Sequence, residues 1–264
     1  MANYDVLWTR TSGIQTVAAA SLENYGTRLE WRGPSGEIMH DACVDGTLTK
    51  KILLPYVNQH VSKIVATDRF ADTITLAQQI NSDEKIEYKV FDVLKDDITE
   101  MEGRFGHIFS ICVAQWLVPN SLLLEKYRKM LKPKGQLFIV VLADTPVQQS
   151  FHFLAQGARW KDILANQNVF ENFSSNPVQD FQTLLANAGF EVDLTAQVTS
   201  TIPMENFPDM IDLLWNMYYK YWSDIPPGQQ KQFIEDNLTK IGTCTTSIGA
   251  TYLPDSKSSS SRIT

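Results

Sequence analysis

Glu37-Ile-Met-His-Asp-Ala-Cys-Val-Asp-Gly46 joins a short apolar run to the amphipathic stretch Thr47 to Tyr56, and its reading decides the fold. In α/β folds that bind nucleotides, a glycine-rich turn between strand and helix lets the backbone approach the ligand and aims the helix N-terminus at it. Here Ala42 and Val44 occupy positions where such a turn carries glycine. His40 stands where an acid ends the first strand, and only Gly46 is retained. A β-carbon on residue 44 is expected to cost little if φ there is negative, while filling space that a ligand needs. A plain strand-to-helix turn without ligand is the alternative reading.

Upstream of the turn, Ile14, Val17, Ala18 and Leu22 fall at helical spacing and predict a helix from Ser12 to near Gly26, with Gln15 near its start. Downstream, Leu48, Ile52, Leu53 and Tyr56 make an apolar helical stripe. Val61 to Thr67 is a β-branched run ending in Asp68, and Ile74, Ala77 and Ile80 mark another helix. Ile86 to Phe91 alternates as a strand nearer an edge. Gly106 to Val113 reads as a buried strand, Asn120 to Met130 as a helix stopped by Pro133 and Gly135, and Gln136 to Leu142 as the most apolar strand. This alternation predicts an α/β, Rossmann-like doubly wound, mostly parallel sheet.

After Asp144 the composition shifts toward aromatics, glutamine and asparagine, and Phe151 to Ile163 reads as one or two helices. Asn176-Pro177 starts a helix that Gly189 ends, and Phe190 to Ile202 alternates as a strand. Apolar stripes at Phe207 to Tyr221 and Phe233 to Leu238 predict helices able to cover a pocket. One domain is expected over 1–254, with its core at about 36–145 and 177–202 and a helical cap at about 146–176 and 203–242. The serine-rich stretch 255–264 is expected to be a disordered tail.

The 264 residues are 44% hydrophobic and 20% charged, which fits a globular protein with a sizeable core. A net charge of −7 and a sequence pI near 5.1 argue against nucleic acid as a partner. The three cysteines are widely spaced without a CxxC pair, so neither a disulfide framework nor a metal site is indicated and a cytoplasmic location is expected. No apolar stretch reaches the roughly 18 residues a membrane helix needs, so no membrane role is expected.

Asp68 follows a buried strand 22 residues after Gly46, where an acid accepts hydrogen bonds from the ribose hydroxyls of an adenosine ligand. Asp92 at the end of the third strand is placed to meet the adenine amino group, with Val93 against the ring. Gln115-Trp116 lies just beyond the fourth strand, on the edge where open α/β sheets bind ligands, and Gln15 is able to reach the same crevice. A glutamine NH2 and an indole N–H are neutral donors that orient a carboxylate without quenching its nucleophilicity. Core or rim packing is the plainer reading of Trp116, and His107 reads as a packed or edge histidine.

With these residues in view, the chain from about Trp8 to about Ala250 resembles the juvenile hormone acid O-methyltransferases and their arthropod relatives. The resemblance is carried by Trp8-Thr-Arg-Thr-Ser-Gly-Ile-Gln15, Asp45-Gly-Thr-Leu-Thr-Lys50, Phe91-Asp-Val93, Phe105-Gly-His-Ile-Phe-Ser110, Gln115-Trp116 and Leu131-Lys-Pro-Lys-Gly-Gln-Leu137. It implies a class I methyltransferase fold, S-adenosyl-L-methionine as cofactor, and methyl transfer to a small apolar carboxylic acid of the farnesoic or juvenile hormone acid kind. Gln15, Trp116 and Gln115 would then hold the substrate carboxylate. Ala42, Cys43, Gly46, Asp68, Arg69, Asp92 and Val93 would hold the cofactor.

Phe151, Trp160, Phe207, Met210 and Trp215 are expected to wall the apolar pocket. The chain departs from the family in lacking Asp-x-Gly-Cys-Gly-x-Gly at 40–46 and in carrying Gln115 where histidine is usual. It also runs into Leu253-Pro-Asp-Ser-Lys257 where the family has a last strand, so that strand is expected to be absent or divergent. A non-catalytic relative binding a lipid-like ligand or protein partner is the competing class, and a methyltransferase for another nucleophile is a third. The oligomeric state is not legible.

Overall fold

The computed structural model describes residues 12–31, 36–164, 171, 173–198, 211, 214, 225–241 and 247–253. Alternating apolar runs and amphipathic stretches become five parallel strands: β1 Gly36–Asp41, β2 Val61–Asp68, β3 Ile86–Val90, β4 Phe105–Ile111 and β5 Leu131–Asp144. Two later strands, β6 Leu194–Val198 and β7 Ser247–Leu253, complete a seven-stranded sheet in the order β3-β2-β1-β4-β5-β7-β6. The reversal of direction from β1 opens a crevice at the carboxyl ends of β1 and β4, where ligands bind in such sheets.

Helices cover both faces. On one, α1 Ser12–Tyr25 and the helical segment after the turn bury Val17, Ala18, Leu22, Leu48, Leu53 and Val57 against Ile38, Ala66 and Phe109. That segment is π-helical over Thr49–Leu53 before the α2 turn Leu54–Val57, and α3 Ala71–Ile80 follows β2. On the other face, α4 Asn120–Met130 and α7 Pro177–Asn187 bury Leu123, Leu124, Tyr127, Phe181 and Leu185 against Met39, Val65 and Ile139.

Between them in the chain, α5 Pro146–Gln156 and α6 Lys161–Leu164 join α8 Gln230–Ile241 in a cap with its own core. A capping box between Thr145 and Gln148, with Pro146 at the first position, fixes the start of α5. Asn176 accepts from the Gln179 N–H and starts α7 in the same manner.

The observed strands and the sites of α1, α4 and α7 follow the hydrophobic period of the sequence. Two expectations are corrected. β5 begins at Leu131 because Leu131 pairs with Phe105 before a register shift, so the extended chain runs through Pro133 and Gly135. The last strand is present: β7 lies antiparallel between β5 and β6, and its Ser-Ile-Gly-Ala-Thr-Tyr-Leu run was masked by the serines beyond it. The stripe at Phe207 to Tyr221 falls mainly outside the described residues, as does the tail 255–264. Among the described residues, no helix is long and apolar enough to cross a membrane.

Successive residues at the end of β1 point to opposite faces of the sheet. His40 Nδ1 lies 2.7 Å from Thr49 Oγ1 in the π-helical segment on one side. Asp41, on the other, accepts from the Tyr127 hydroxyl of α4 at 2.6 Å and the Thr67 hydroxyl of β2 at 2.9 Å. Burial draws the His40 pKa from 6.5 down to about 4 and pushes that of Asp41 from 3.8 up to about 6. Unfolding lets His40 bind a proton between these limits, so its contribution to stability grows as pH rises. Unfolding makes Asp41 release one, so its contribution shrinks as pH rises. The slopes oppose each other. Urea melts at pH 4.5 and 6.0 are therefore expected to show a steeper rise of stability with pH in Asp41→Asn than in the native protein, and a fall in His40→Asn. Each departs from the native slope by about 1–2 kcal/mol over this window.

Candidate active site

The turn after β1 keeps the backbone of a glycine-rich turn without its glycines. Ala42, Val44 and Gly46 stand at φ of 53°, 52° and 77°, alternating with Cys43 and Asp45. The condition under which a β-carbon at residue 44 costs little, a negative φ, is not met: a β-branched residue occupies the left-handed region, which costs on the order of 1–2 kcal/mol. Surrounding bonds hold it there. Cys43 N–H donates to Thr67 O at 2.8 Å, and Val44 N–H donates to Asp68 Oδ2 at 3.1 Å. Asp45 Oδ1 accepts from Thr47 N–H two residues on, while Asn81 Nδ2 donates to Asp45 O. Within the turn, Gly46 has no room for a side chain, because a β-carbon there would overlap the Tyr88 ring.

Asp68 ends β2, is buried, and is surrounded by donors: Val44 N–H on one oxygen, Phe70 N–H and the Thr73 hydroxyl on the other. Burial raises its pKa against the pull of these donors. A carboxylate offers about four lone-pair sites, so three are filled; a ligand that takes both oxygens through two hydroxyls uses the free site beside Val44 N–H and displaces a donor from the other oxygen, where the Thr73 hydroxyl has Phe70 O at 2.7 Å as an alternative acceptor. Arg69 beside it lies over the Phe70 ring, its Cζ 4.7 Å from the centroid. Asp92, after β3, accepts from Leu94 N–H in a tight turn, and Val93 next to it is buried. Thus the ends of β1, β2 and β3 carry the turn, Asp68 and Asp92 in the order expected.

Gln15 on α1 lines a small depression together with Ala42, Cys43, Val44, Asp45, Thr47 and Leu48. Trp116 sits in the loop after β4 and packs half-buried against the cap core that includes Val147, Phe151, Leu154 and Trp160. Gln115 is 1% exposed; its Nε2 donates to Cys112 O at 2.7 Å and its Oε1 accepts from Leu142 N–H at 3.3 Å. Its side chain joins the ends of β4 and β5 and faces backbone, not the crevice. Phe151 and Trp160 are likewise buried within the cap, with the Trp160 indole N–H on Asp236 at 2.8 Å, so neither walls an open pocket. Phe207, Met210 and Trp215 lie outside the described residues. His107 is buried, its ring tilted by 34° against Trp31 with centroids 4.3 Å apart, and lies 3.0 Å from Gln136 Oε1.

Asp41, Thr67, Thr73 and Tyr127 were not legible as parts of this region. The available signal was an acid placed last in the strand, after the apolar pair Ile38-Met39 and immediately before the turn, which burial makes unusual.

A family model described as a methyltransferase domain matches residues 43–139, from the turn into β5. The juvenile hormone acid O-methyltransferase of Bombyx mori is 20% identical over 193 residues, covering 72% of this chain and 69% of its own length. The Drosophila melanogaster enzyme of the same name is 22% identical over 227 residues, covering 81% and 74%. Among solved structures, an S-adenosylmethionine-dependent methyltransferase from Mesorhizobium loti matches with a TM-score of 0.54 at 14% identity, over 89% of this chain and 98% of its own. Geranyl diphosphate C-methyltransferase from Streptomyces coelicolor A3(2), in complex with Mg2+, geranyl diphosphate and S-adenosyl-L-homocysteine, matches at 0.53 and 14%, over 90% and 79%. Its sheet order, the domain match over the turn and these relatives make the chain a divergent class I S-adenosylmethionine-dependent methyltransferase, similar to the juvenile hormone acid O-methyltransferases.

Proposed function

We propose that this methyltransferase acts on the carboxylate of a small apolar acid of the farnesoic or juvenile hormone acid kind. The observation that carries the reading is the position of Trp116, in the loop that follows β4 and against the apolar cap core. A polar N–H is thereby set next to a surface suited to a hydrocarbon tail. The names of the two curated relatives supply the carboxylate.

The residues present fit the cofactor. The turn retains left-handed backbone at 42, 44 and 46, and Asp68 and Asp92 stand at the ends of neighbouring strands. In the proposed arrangement Asp68 takes the ribose with Arg69 beside it, and Asp92 with Val93 takes the adenine. Ala42, Cys43 and Gly46 border the rest. The bound cofactor supplies an electrophilic methyl group. A substrate carboxylate is ionised at neutral pH and needs no strong base, so the chain's task is alignment. Gln15 and Trp116 donate to the carboxylate and fix its approach. Gln115, bonded to Cys112 O and Leu142 N–H, holds the loop that carries Trp116.

The β-carbons of Ala42 and Val44 beside Gln15 favour a second reading, in which the fold is kept, the cofactor is bound weakly and an apolar ligand is carried without turnover. Methyl-labelled S-adenosylmethionine, incubated with carboxylic acids of increasing chain length, separates the two. Esters are expected with isoprenoid and long-chain acids and not with acetate; saturable binding of both ligands without ester at any length would establish the second reading. Trp116→Ala is expected to lower kcat/KM for the acid about 100-fold and Gln15→Ala about tenfold, with cofactor Kd changed less than twofold in Trp116→Ala. The double change Ala42→Gly with Val44→Gly is expected to tighten cofactor Kd about tenfold in calorimetric titration. Its stability is expected to stay within about 1 kcal/mol of the native protein, because relief of left-handed strain offsets the added chain entropy.

A further inference from the structure

Asp41 is 2% exposed, lies one residue before the turn, and sits opposite Thr67 in the β1–β2 register. The Thr67 hydroxyl on its Oδ1 ties it to the residue before Asp68, and the Tyr127 hydroxyl on its Oδ2 ties it to α4, the helix that follows the Gln115-Trp116 loop. Thr67 and Tyr127 are both fully buried. One carboxyl group therefore joins the strand that leads into the turn, the strand that carries the ribose acid, and the helix behind the substrate loop. A hydrophobic residue here would leave two buried hydroxyls without acceptors and would serve packing better.

We propose that Asp41 is a positioning residue for cofactor binding, and that the Thr67–Asp41–Tyr127 bridge couples occupation of the turn to the charge on the Asp41 carboxyl. The inference rests on the cofactor reading given above. Three titratable groups face Asp41: Asp68 from β2, Tyr127 from α4 and Cys43 from the turn, with the uncharged Ser110 opposite it on β4. Burial raises the pKa of Cys43 and Tyr127 and keeps both neutral, and the charge of Asp68 adds to the burial that raises Asp41. S-adenosylmethionine brings a sulfonium and an ammonium to this end of the sheet. A cation next to Asp41 stabilises its ionised form, and by linkage a protonated Asp41 weakens the cation's binding.

The test is the cofactor Kd measured by calorimetry at half-unit steps from pH 5.0 to 8.0, in the full chain and in Tyr127→Phe and Asp41→Asn. The native protein is expected to bind up to about tenfold more weakly per pH unit below a break near 6. Tyr127→Phe removes a donor that favours the anion without touching Asp68, so its break is expected at higher pH. Asp41→Asn is expected to lose the component of the slope that Tyr127→Phe moves. Near-UV circular dichroism confirms the fold of each variant, and if Asp41→Asn does not fold, the break in Tyr127→Phe decides. A break at the same pH in native and Tyr127→Phe proteins overturns the coupling while leaving the cofactor site intact. No binding at any pH overturns the coupling and the cofactor reading together.

Discussion

Two buried polar side chains at the end of β1 hold the two helical layers to the sheet at the point where a ligand enters. His40 reaches Thr49 on one face, and Asp41 reaches Thr67 and Tyr127 on the other. Hydrophobic packing alone is non-directional and does not set the height of one strand end against its neighbour to a fraction of an ångström. Hydrogen bonds between buried groups do, because a small displacement leaves a desolvated donor or acceptor without a partner. The bond from Cys43 N–H to Thr67 O and that from Val44 N–H to Asp68 both require this height.

That frame also explains how a turn survives the loss of its glycines. The left-handed conformation at Ala42 and Val44 runs against their intrinsic preference and persists because neighbouring bonds over-determine it. Backbone shape and side-chain volume have thus been separated. The turn keeps the path that lets a chain pass close to a nucleotide, and it adds methyl groups where the approach is closest.

Element types and strand sequence were legible because the parallel strands are continuous apolar runs and the helices keep a 3.6-residue period. Asp68 and Asp92 were legible because topology places strand ends side by side. The conformation of Val44 was not, since local propensity points the other way and only tertiary bonds decide. Gln115 reads from sequence as a donor toward substrate, yet its burial between β4 and β5 turns both ends of the amide to backbone. Asp41 escaped notice because an acid next to a turn is usually solvated. Trp160 looked like a pocket wall and is a strut within the cap, fastened to Asp236. In each case the residue type was informative and the direction of the side chain was not.

The position of β7 bears on how the chain assembles. It lies between β5 and β6 in the sheet but follows both in the chain, and α8 of the cap intervenes between β6 and β7. The five parallel strands can therefore form from the first 144 residues, whereas β6 has no neighbour to pair with until residues 247–253 arrive. Pairings this distant in sequence form late. Until then the outer edge of β5 is an open template, so during synthesis the half of the sheet that builds the cofactor crevice is complete while its far edge remains open to other strands.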